Sequence, residues 1–341
     1  MKKRLLVINT GGTIGMRKTE KGYSPDRFAL QKHLAEITAQ WGTEVPAYEI
    51  LEYEPLLDSA NFCPNDWLRI ANDIVKHYEQ YDAFLVMHGT DTMAYTASAL
   101  AFMLRGLEKN IILTGSQLPL SLRRNDAREN LITAMIIASE YHIPEVCVLF
   151  GSVLLRGCRA TKVSATSFDA FDSPNAAPLA TIGTNIRVYE DRVHFPETVD
   201  NKISILPIQD AAVATLRLFP GIDARVLDNV LQTPLQGIVL ESYGSGNGPS
   251  NDKEFLAALR RAYERDIVIV NLSQCLHGNI AHRDYATGRA LADAGLVSGS
   301  DMTVEAALTK LMFLFSRDLK PDEIRSRLLE NLVGELTTES Q

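Results

Sequence analysis

An apolar run, Leu5-Leu6-Val7-Ile8, passes without a charged residue into "NTGGTIGM" at positions 9–16. Leucine and β-branched residues closed at once by Gly-Gly have the pattern of a buried parallel strand that ends in a sharp turn. Such a turn leaves side chains at the strand's carboxyl end, the edge where ligands bind in open α/β sheets. The feature commits the start of the chain to a sheet covered on both faces. It also sets two threonines, Thr10 and Thr13, at that edge.

The first half keeps this rhythm. Strands are expected over Arg4 to Thr10, Ala83 to His88, Asn110 to Thr114 and Glu145 to Phe150, with amphipathic helices near 64–80, 94–107 and 125–141. Pro64-Asn65-Asp66 and Asn125-Asp126 read as helix caps. Strand and helix in alternation predict a mostly parallel sheet flanked by helices. The pattern breaks from about 165 to 212, and a second alternating unit follows. Its expected strands are Gln236 to Leu240 and Asp266 to Leu272, with helices near 252–264, 303–316 and 321–331. The expectation is an α/β protein of two domains: a larger one over 1–190, a linker over 191–211 and a smaller parallel-sheet domain over 212–341. A chain of 341 residues exceeds the usual size of one core.

Charge narrows the partners. Forty-two acidic against 34 basic residues give a net charge of −8, and beyond Lys2-Lys3-Arg4 there is no basic block, which argues against nucleic acid or an anionic membrane. No segment approaches the roughly 18 apolar residues of a membrane span, and the apolar stretch behind the basic start is too short for a signal peptide. Cys63, Cys147, Cys158 and Cys275 are scattered without CxxC spacing, so neither a zinc site nor a disulfide framework is indicated. A cytoplasmic protein with reduced thiols is expected.

Four polar clusters follow strands in the first half: "NTGGTIG" (9–15), "HGTDTMAYT" (88–96), "TGSQLPL" (114–120) and "LRGCRATK" (155–162). If those strands are parallel, all four project to one edge. The first cluster fits neither GxGxxG nor GxxxxGK[ST], because Arg17 stands where a last glycine would be needed. The alternative is a threonine nucleophile, which needs a base to take its proton and donors for an oxyanion. Asp91 and Lys162 offer a carboxylate and an amine, and Tyr23 in "EKGYSP" offers a phenol. Lysine acts as a base only after losing its charge; burial or cationic neighbours such as Arg156 and Arg159 favour that, and a paired Asp91 opposes it. Each residue alone has a plainer reading: a tight turn, a satisfied structural His88, a surface Lys162.

Together the clusters resemble the asparaginase family, specifically the cytoplasmic type I L-asparaginases of bacteria and the related amino-terminal domain of mammalian enzymes. The matching signatures are "NTGGTIGM" (9–16) and "VMHGTDTMAYTASAL" (86–100), and "GSQLPL", "RENL", "SPN", "VNLSQC", "DYATG" and "DMTVEAALTKL" extend the match over nearly the whole chain. The resemblance implies hydrolysis of the side-chain amide of L-asparagine to L-aspartate and ammonia through an acyl-threonine intermediate, with no metal or organic cofactor. It implies a homotetramer built as a dimer of dimers, each site completed by a neighbouring subunit.

By the same resemblance Thr13 is the nucleophile and Tyr23 the loop tyrosine that activates it. Thr90 handles the attacking water, Lys162 supports its proton transfer, and Asp91 also grips the substrate ammonium. Asp58 and Ser59 hold the α-carboxylate and α-amino group, and Asn247 and Tyr285 are intersubunit candidates. Departures from the family pattern are Ala60, Ala127, Cys158 and Ala160. Glu241 stands where regulated bacterial relatives carry an arginine, so activation by asparagine at a second site is expected to be weak or absent. A broader glutaminase-asparaginase and a non-catalytic amino-acid sensor are the alternatives. The chain opens at its first strand, so the docking domain of a tRNA-dependent amidotransferase subunit is not expected.

Overall fold

Arg4–Gly11 is an inner strand of an eight-stranded sheet, with Ala47–Leu57 on one side and Ala83–Met87 on the other. The structure, a computed structural model, describes residues 3–20, 22–42, 45–195, 202–281 and 286–338. Contacts divide the chain into two units, residues 1–173 with 177–206, and residues 174–176 with 207–341. In the first unit the strand order is 186–188, 180–182, 153–156, 146–150, 110–114, 83–87, 4–11 and 47–57. The five strands from 146–150 to 47–57 run parallel. The chain leaves Arg4–Gly11 toward one side of the sheet and returns on the other, so the strand order reverses there. A reversal of this kind opens a crevice at the carboxyl ends of the two strands involved.

The inner strands 83–87, 110–114 and 146–150 are buried at every residue, as double coverage requires. Helix Ala127–Glu140 sends Leu131, Ala134, Met135 and Ala138 into one core with Leu5, Val7 and Leu85. Helix Pro64–His77 is amphipathic, burying Trp67, Ile70, Ala71 and Ile74 at the spacing of one helical face. The next helix, expected as amphipathic over 94–107, spans Met93–Met103 and is buried nearly all round. It packs against the sheet, helix Pro64–His77 and a turn at Gly157–Arg159, which leaves it no solvent face.

Three elements differ from the expected pattern. Ala47–Leu57 reads as polar because it is an edge strand, with Tyr48 and Ile50 turned to the core and acids between them. Its register with Arg4–Gly11 jumps from Asn9 opposite Glu52 to Gly11 opposite Leu57, a bulge that delivers Asp58 and Ser59 beside the glycine turn. Met16–Thr19 and Gly22–Pro25 form an exposed antiparallel hairpin. Val153–Arg156 runs antiparallel to Val146–Phe150, because only residues 151 and 152 join them. The fourth polar cluster therefore leaves its strand at the opposite edge from the other three.

The second unit carries a four-stranded parallel sheet in the order 213–217, 237–242, 268–273 and 297–298. Helix Lys253–Glu264 is capped by Asp252, whose carboxylate accepts from the Glu254 and Phe255 N–H groups at 3.0 Å each. It buries Phe255, Leu256, Ala258, Leu259 and Ala262. Helix Val304–Phe315 holds Lys310, whose ammonium pairs with Glu335 at 2.6 Å with both side chains wholly buried. Lys310 Nζ also donates to the carbonyls of Leu328 and Glu330, and Glu335 accepts from the Leu332 and Val333 N–H groups. Every polar atom of the pair thus has work inside the fold, the condition under which a buried ion pair is tolerated. Among the described residues no helix is long and apolar enough to cross a membrane.

Candidate active site

The loops that follow Arg4–Gly11, Ala83–Met87 and Asn110–Thr114 emerge side by side, since Asn9 pairs with Met87 and Met87 with Thr114. Two glycines bring the first two loops into contact. Gly12 has φ of 93°, and a Cβ there would stand 2.5 Å from the Gly89 nitrogen. A Cβ on Gly89 would overlap the Ser59 hydroxyl. Only bare backbone on both loops lets Thr13, Thr90 and Ser59 share one end of the sheet.

Thr13 opens a single 3-10 turn, Thr13–Gly15, and is half-buried. The turn is braced by Leu120 N–H donating to the Ile14 carbonyl at 3.1 Å and Asp26 N–H donating to the Gly15 carbonyl at 2.9 Å. Ser121 Oγ donates to the Met16 carbonyl at 3.1 Å, so the third loop supports the base of the hairpin. That loop is itself fixed by Asp126, whose carboxylate accepts from the Gln117 and Leu118 N–H groups at 2.8 and 3.0 Å. The cap of helix Ala127–Glu140 consequently falls to Asn125, which accepts from the Arg128 N–H. Tyr23 sits on the hairpin opposite Lys18 and is 46% exposed, and the described residues contain no hydrogen bond between it and Thr13.

Thr90 is 7% exposed, and Lys162 Nζ donates to both Thr90 Oγ1 and Asp91 Oδ1 at 2.8 Å. Lys162 reaches this position indirectly. After the antiparallel strand the chain turns through Gly157–Arg159, where a Cβ on Gly157 would press on the Val146 carbonyl at 2.8 Å and Ala97 Cβ at 3.0 Å. It then climbs beside helix Met93–Met103 into Thr161–Lys162, which pairs with Phe171–Asp172. Cys158 and Ala160 are fully buried in this passage.

Asp58 is exposed and caps the turn Ser59–Asn61, its Oδ1 accepting from the Ala60 N–H at 3.1 Å. Ser59 is 3% exposed, and its carbonyl accepts from Thr92 Oγ1 at 2.7 Å. Asn247 belongs to the second unit, where it bridges to Tyr243 and its Oδ1 accepts from the Thr287 hydroxyl. Tyr285 lies outside the described residues. Among the described residues no group of three or more His, Cys, Asp or Glu is arranged to hold a metal ion.

Beneath the second loop lies a chain that motif reading passes over. Trp67 Nε1 donates to Thr96 Oγ1 at 3.1 Å, Thr96 Oγ1 lies 2.9 Å from His88 Nε2, and His88 Nδ1 lies 2.7 Å from the Gly89 carbonyl. The imidazole is completely buried against Phe62, with ring centroids 4.3 Å apart. Burial pushes its pKa down to about 4. An unfolded histidine titrates near ~6.5, so between these values the unfolded chain binds a proton that the folded chain refuses. Stability is therefore expected to fall as pH drops through this window, with up to about 1.4 kcal/mol per pH unit from this group. Urea midpoints at pH 7 and pH 5 check it: His88→Asn should show a smaller pH difference than the wild type, and an equal difference would refute the assignment.

The family described as "Asparaginase, N-terminal" matches residues 4–194, and the "Glutaminase/Asparaginase C-terminal domain" matches residues 212–328. The chain belongs to the asparaginase family. It is 47% identical over 338 residues to L-asparaginase 1 of Escherichia coli, covering 98% of each chain. It is 43% identical over 362 residues to the 60 kDa lysophospholipase of Homo sapiens, covering 99% of this chain and 62% of that one. The crystal structure of L-asparaginase I from Vibrio cholerae superimposes with a TM-score of 0.91 at 42% identity, covering 99% of this chain and all of the other. The thermostable L-asparaginase from Thermococcus kodakarensis gives 0.88 at 35% identity, covering 98% and 100%.

Proposed function

We propose that the protein is an L-asparaginase, hydrolysing the side-chain amide of L-asparagine to L-aspartate and ammonia. The observation that carries this reading is the Lys162 ammonium bridging Thr90 and Asp91 at 2.8 Å, on a loop in glycine-to-glycine contact with the loop of Thr13. One edge thus offers two hydroxyls, one beside a proton-handling pair and one at a braced turn.

In the first half-reaction Thr13 Oγ attacks the amide carbon, Tyr23 accepts its proton and passes it to the leaving nitrogen, and ammonia departs. An aspartyl ester on Thr13 remains. In the second half-reaction water attacks that ester. Lys162 donates to Thr90 Oγ1 and Asp91 Oδ1, which holds Thr90 where it can align the water, and the water's proton passes through this group to Thr13 Oγ as the ester bond breaks and aspartate leaves. The exposed Asp58 carboxylate and Asp91 suit the substrate's ammonium, and the Ser59 hydroxyl suits its carboxylate. No metal or organic cofactor enters these steps.

The protein works in the cytoplasm as a homotetramer of paired dimers, with Asn247 and Tyr285 reaching a neighbour's site. Asparagine is preferred over glutamine, although one methylene is worth only about 1–3 kcal/mol of discrimination. Glu241 is paired with Arg217 at 3.2 Å and accepts from Thr215 Oγ1 at 3.3 Å. Its carboxylate opposes a second asparagine carboxylate at that position, so initial rates should follow a hyperbola in asparagine. A Hill coefficient well above about one would contradict this.

Ammonia release from L-asparagine and L-glutamine at equal concentration tests the reading, with Thr13→Ala as control. Release from asparagine that disappears in the variant supports it. Equal release from both amides points to the broader glutaminase-asparaginase, and no release from either points to a sensor.

A further inference from the structure

The chain Trp67–Thr96–His88 ends on a backbone carbonyl, and that fixes its direction. The Gly89 carbonyl can only accept, so the proton of a neutral imidazole must sit on Nδ1. Nε2 is then an acceptor, and Thr96 donates its hydroxyl proton to it while accepting from the Trp67 indole. Every donor and acceptor in this buried chain is matched, and the arrangement admits one tautomer.

A consequence follows at the next peptide. The Gly89–Thr90 bond is trans, so the Thr90 N–H points opposite to the Gly89 carbonyl. The carbonyl faces the wholly buried His88 ring, hence the N–H points away from that ring. Among the described residues this N–H has no acceptor. It lies one residue from Gly89, whose backbone packs on Gly12 next to Thr13. A free, oriented N–H beside a nucleophilic hydroxyl is the group that stabilises charge developing on an amide oxygen.

We propose that His88 is a positioning residue: its Nδ1 proton, oriented through Thr96 by Trp67, holds the Gly89 carbonyl inward and so keeps the Thr90 N–H facing the reacting amide. The inference rests on the amidohydrolase reading above. His88 touches no substrate and transfers no proton. Losing it should affect the rate more than substrate affinity, because a donor aimed at the developing oxyanion gains most in the transition state.

The test combines kinetics on asparagine with a neutron structure. His88→Leu removes the donor to Gly89, and kcat should fall about tenfold to a hundredfold with KM changed by no more than about threefold. His88→Asn places an amide N–H2 near the position of Nδ1 and should recover most of that loss. Thr96→Val leaves the imidazole in place but unties its tautomer, and should give an intermediate loss in kcat. The neutron map of the wild type should show a deuteron on His88 Nδ1 and none on Nε2.

Equal losses in the leucine and asparagine variants, or a deuteron on Nε2 in place of Nδ1, would overturn the proposal. If the His88 variants fail to fold, Thr96→Val and the neutron map decide it: an unchanged kcat or the other tautomer rejects it. A wild-type chain that releases no ammonia would instead sink the asparaginase reading, a result distinct from wild-type turnover with indifferent His88 variants.

Discussion

Thr13→Ala is expected to lower ammonia release from asparagine by about four orders of magnitude or more while leaving substrate dissociation within a few-fold of the wild type. The large effect follows from removing the hydroxyl proposed to form the covalent bond, and the small one from the surroundings of Thr13. Its turn is held through the backbone, by Leu120 on Ile14 and Asp26 on Gly15, and neither contact uses the threonine side chain. Asp58 and Ser59 arrive from a different strand and stay in place. Intact-mass spectrometry after mixing with asparagine should find the mass of an aspartyl group on the wild type under acid quench and none on the variant. Wild-type turnover by Thr13→Ala would remove Thr13 as nucleophile.

Thr90→Val should separate the two halves of the reaction. Valine preserves the shape but takes away one of the two oxygens to which Lys162 donates, leaving the ammonium on Asp91 alone. Ester formation at Thr13 proceeds, whereas water is no longer aligned, so one equivalent of ammonia per site should appear quickly and further release should slow by about a thousandfold. The trapped ester should be visible by mass on the peptide containing Thr13. If neither a burst nor an adduct is seen and steady turnover is unchanged, the water-handling role belongs elsewhere.

The sequence announces the parts of this site that sit at the ends of buried parallel strands. Leu5-Leu6-Val7-Ile8 before the glycines, and Ala83 to Met87 before His88, are apolar because both sheet faces are covered, and that signal is local. Ala47–Leu57 is hidden by its edge position, which lets acids alternate with Tyr48 and Ile50. The route to Lys162 is hidden for another reason. Val153–Arg156 has the composition of an inner strand, and only the two-residue connection at 151–152 makes it antiparallel. The expectation that all four clusters share an edge through parallel strands therefore fails for the fourth, while Lys162 still reaches Thr90 by way of the turn that needs Gly157. Trp67 carries no motif, and Thr96 lies in a signature that points to other residues. Their part rests on two helices meeting under His88, with the two residues 29 apart in sequence, a long-range contact that spacing does not encode.

The buried pair of Lys310 and Glu335 in the second unit has a consequence for where the chain can be altered. Glu335 follows helix Pro321–Leu328 and Lys310 lies in the middle of a buried helix, so the segment behind one helix supplies the counterion of an ammonium buried in another. Removing the residues from Leu332 onward would keep the loops of the active edge yet leave the Lys310 ammonium on the Leu328 and Glu330 carbonyls without its counterion, at a cost of about 3–5 kcal/mol. In practical terms, the segment that carries Glu335 is a structural plug, and changes to the chain there should begin beyond Thr337, whose hydroxyl and N–H are themselves anchored on Asp301.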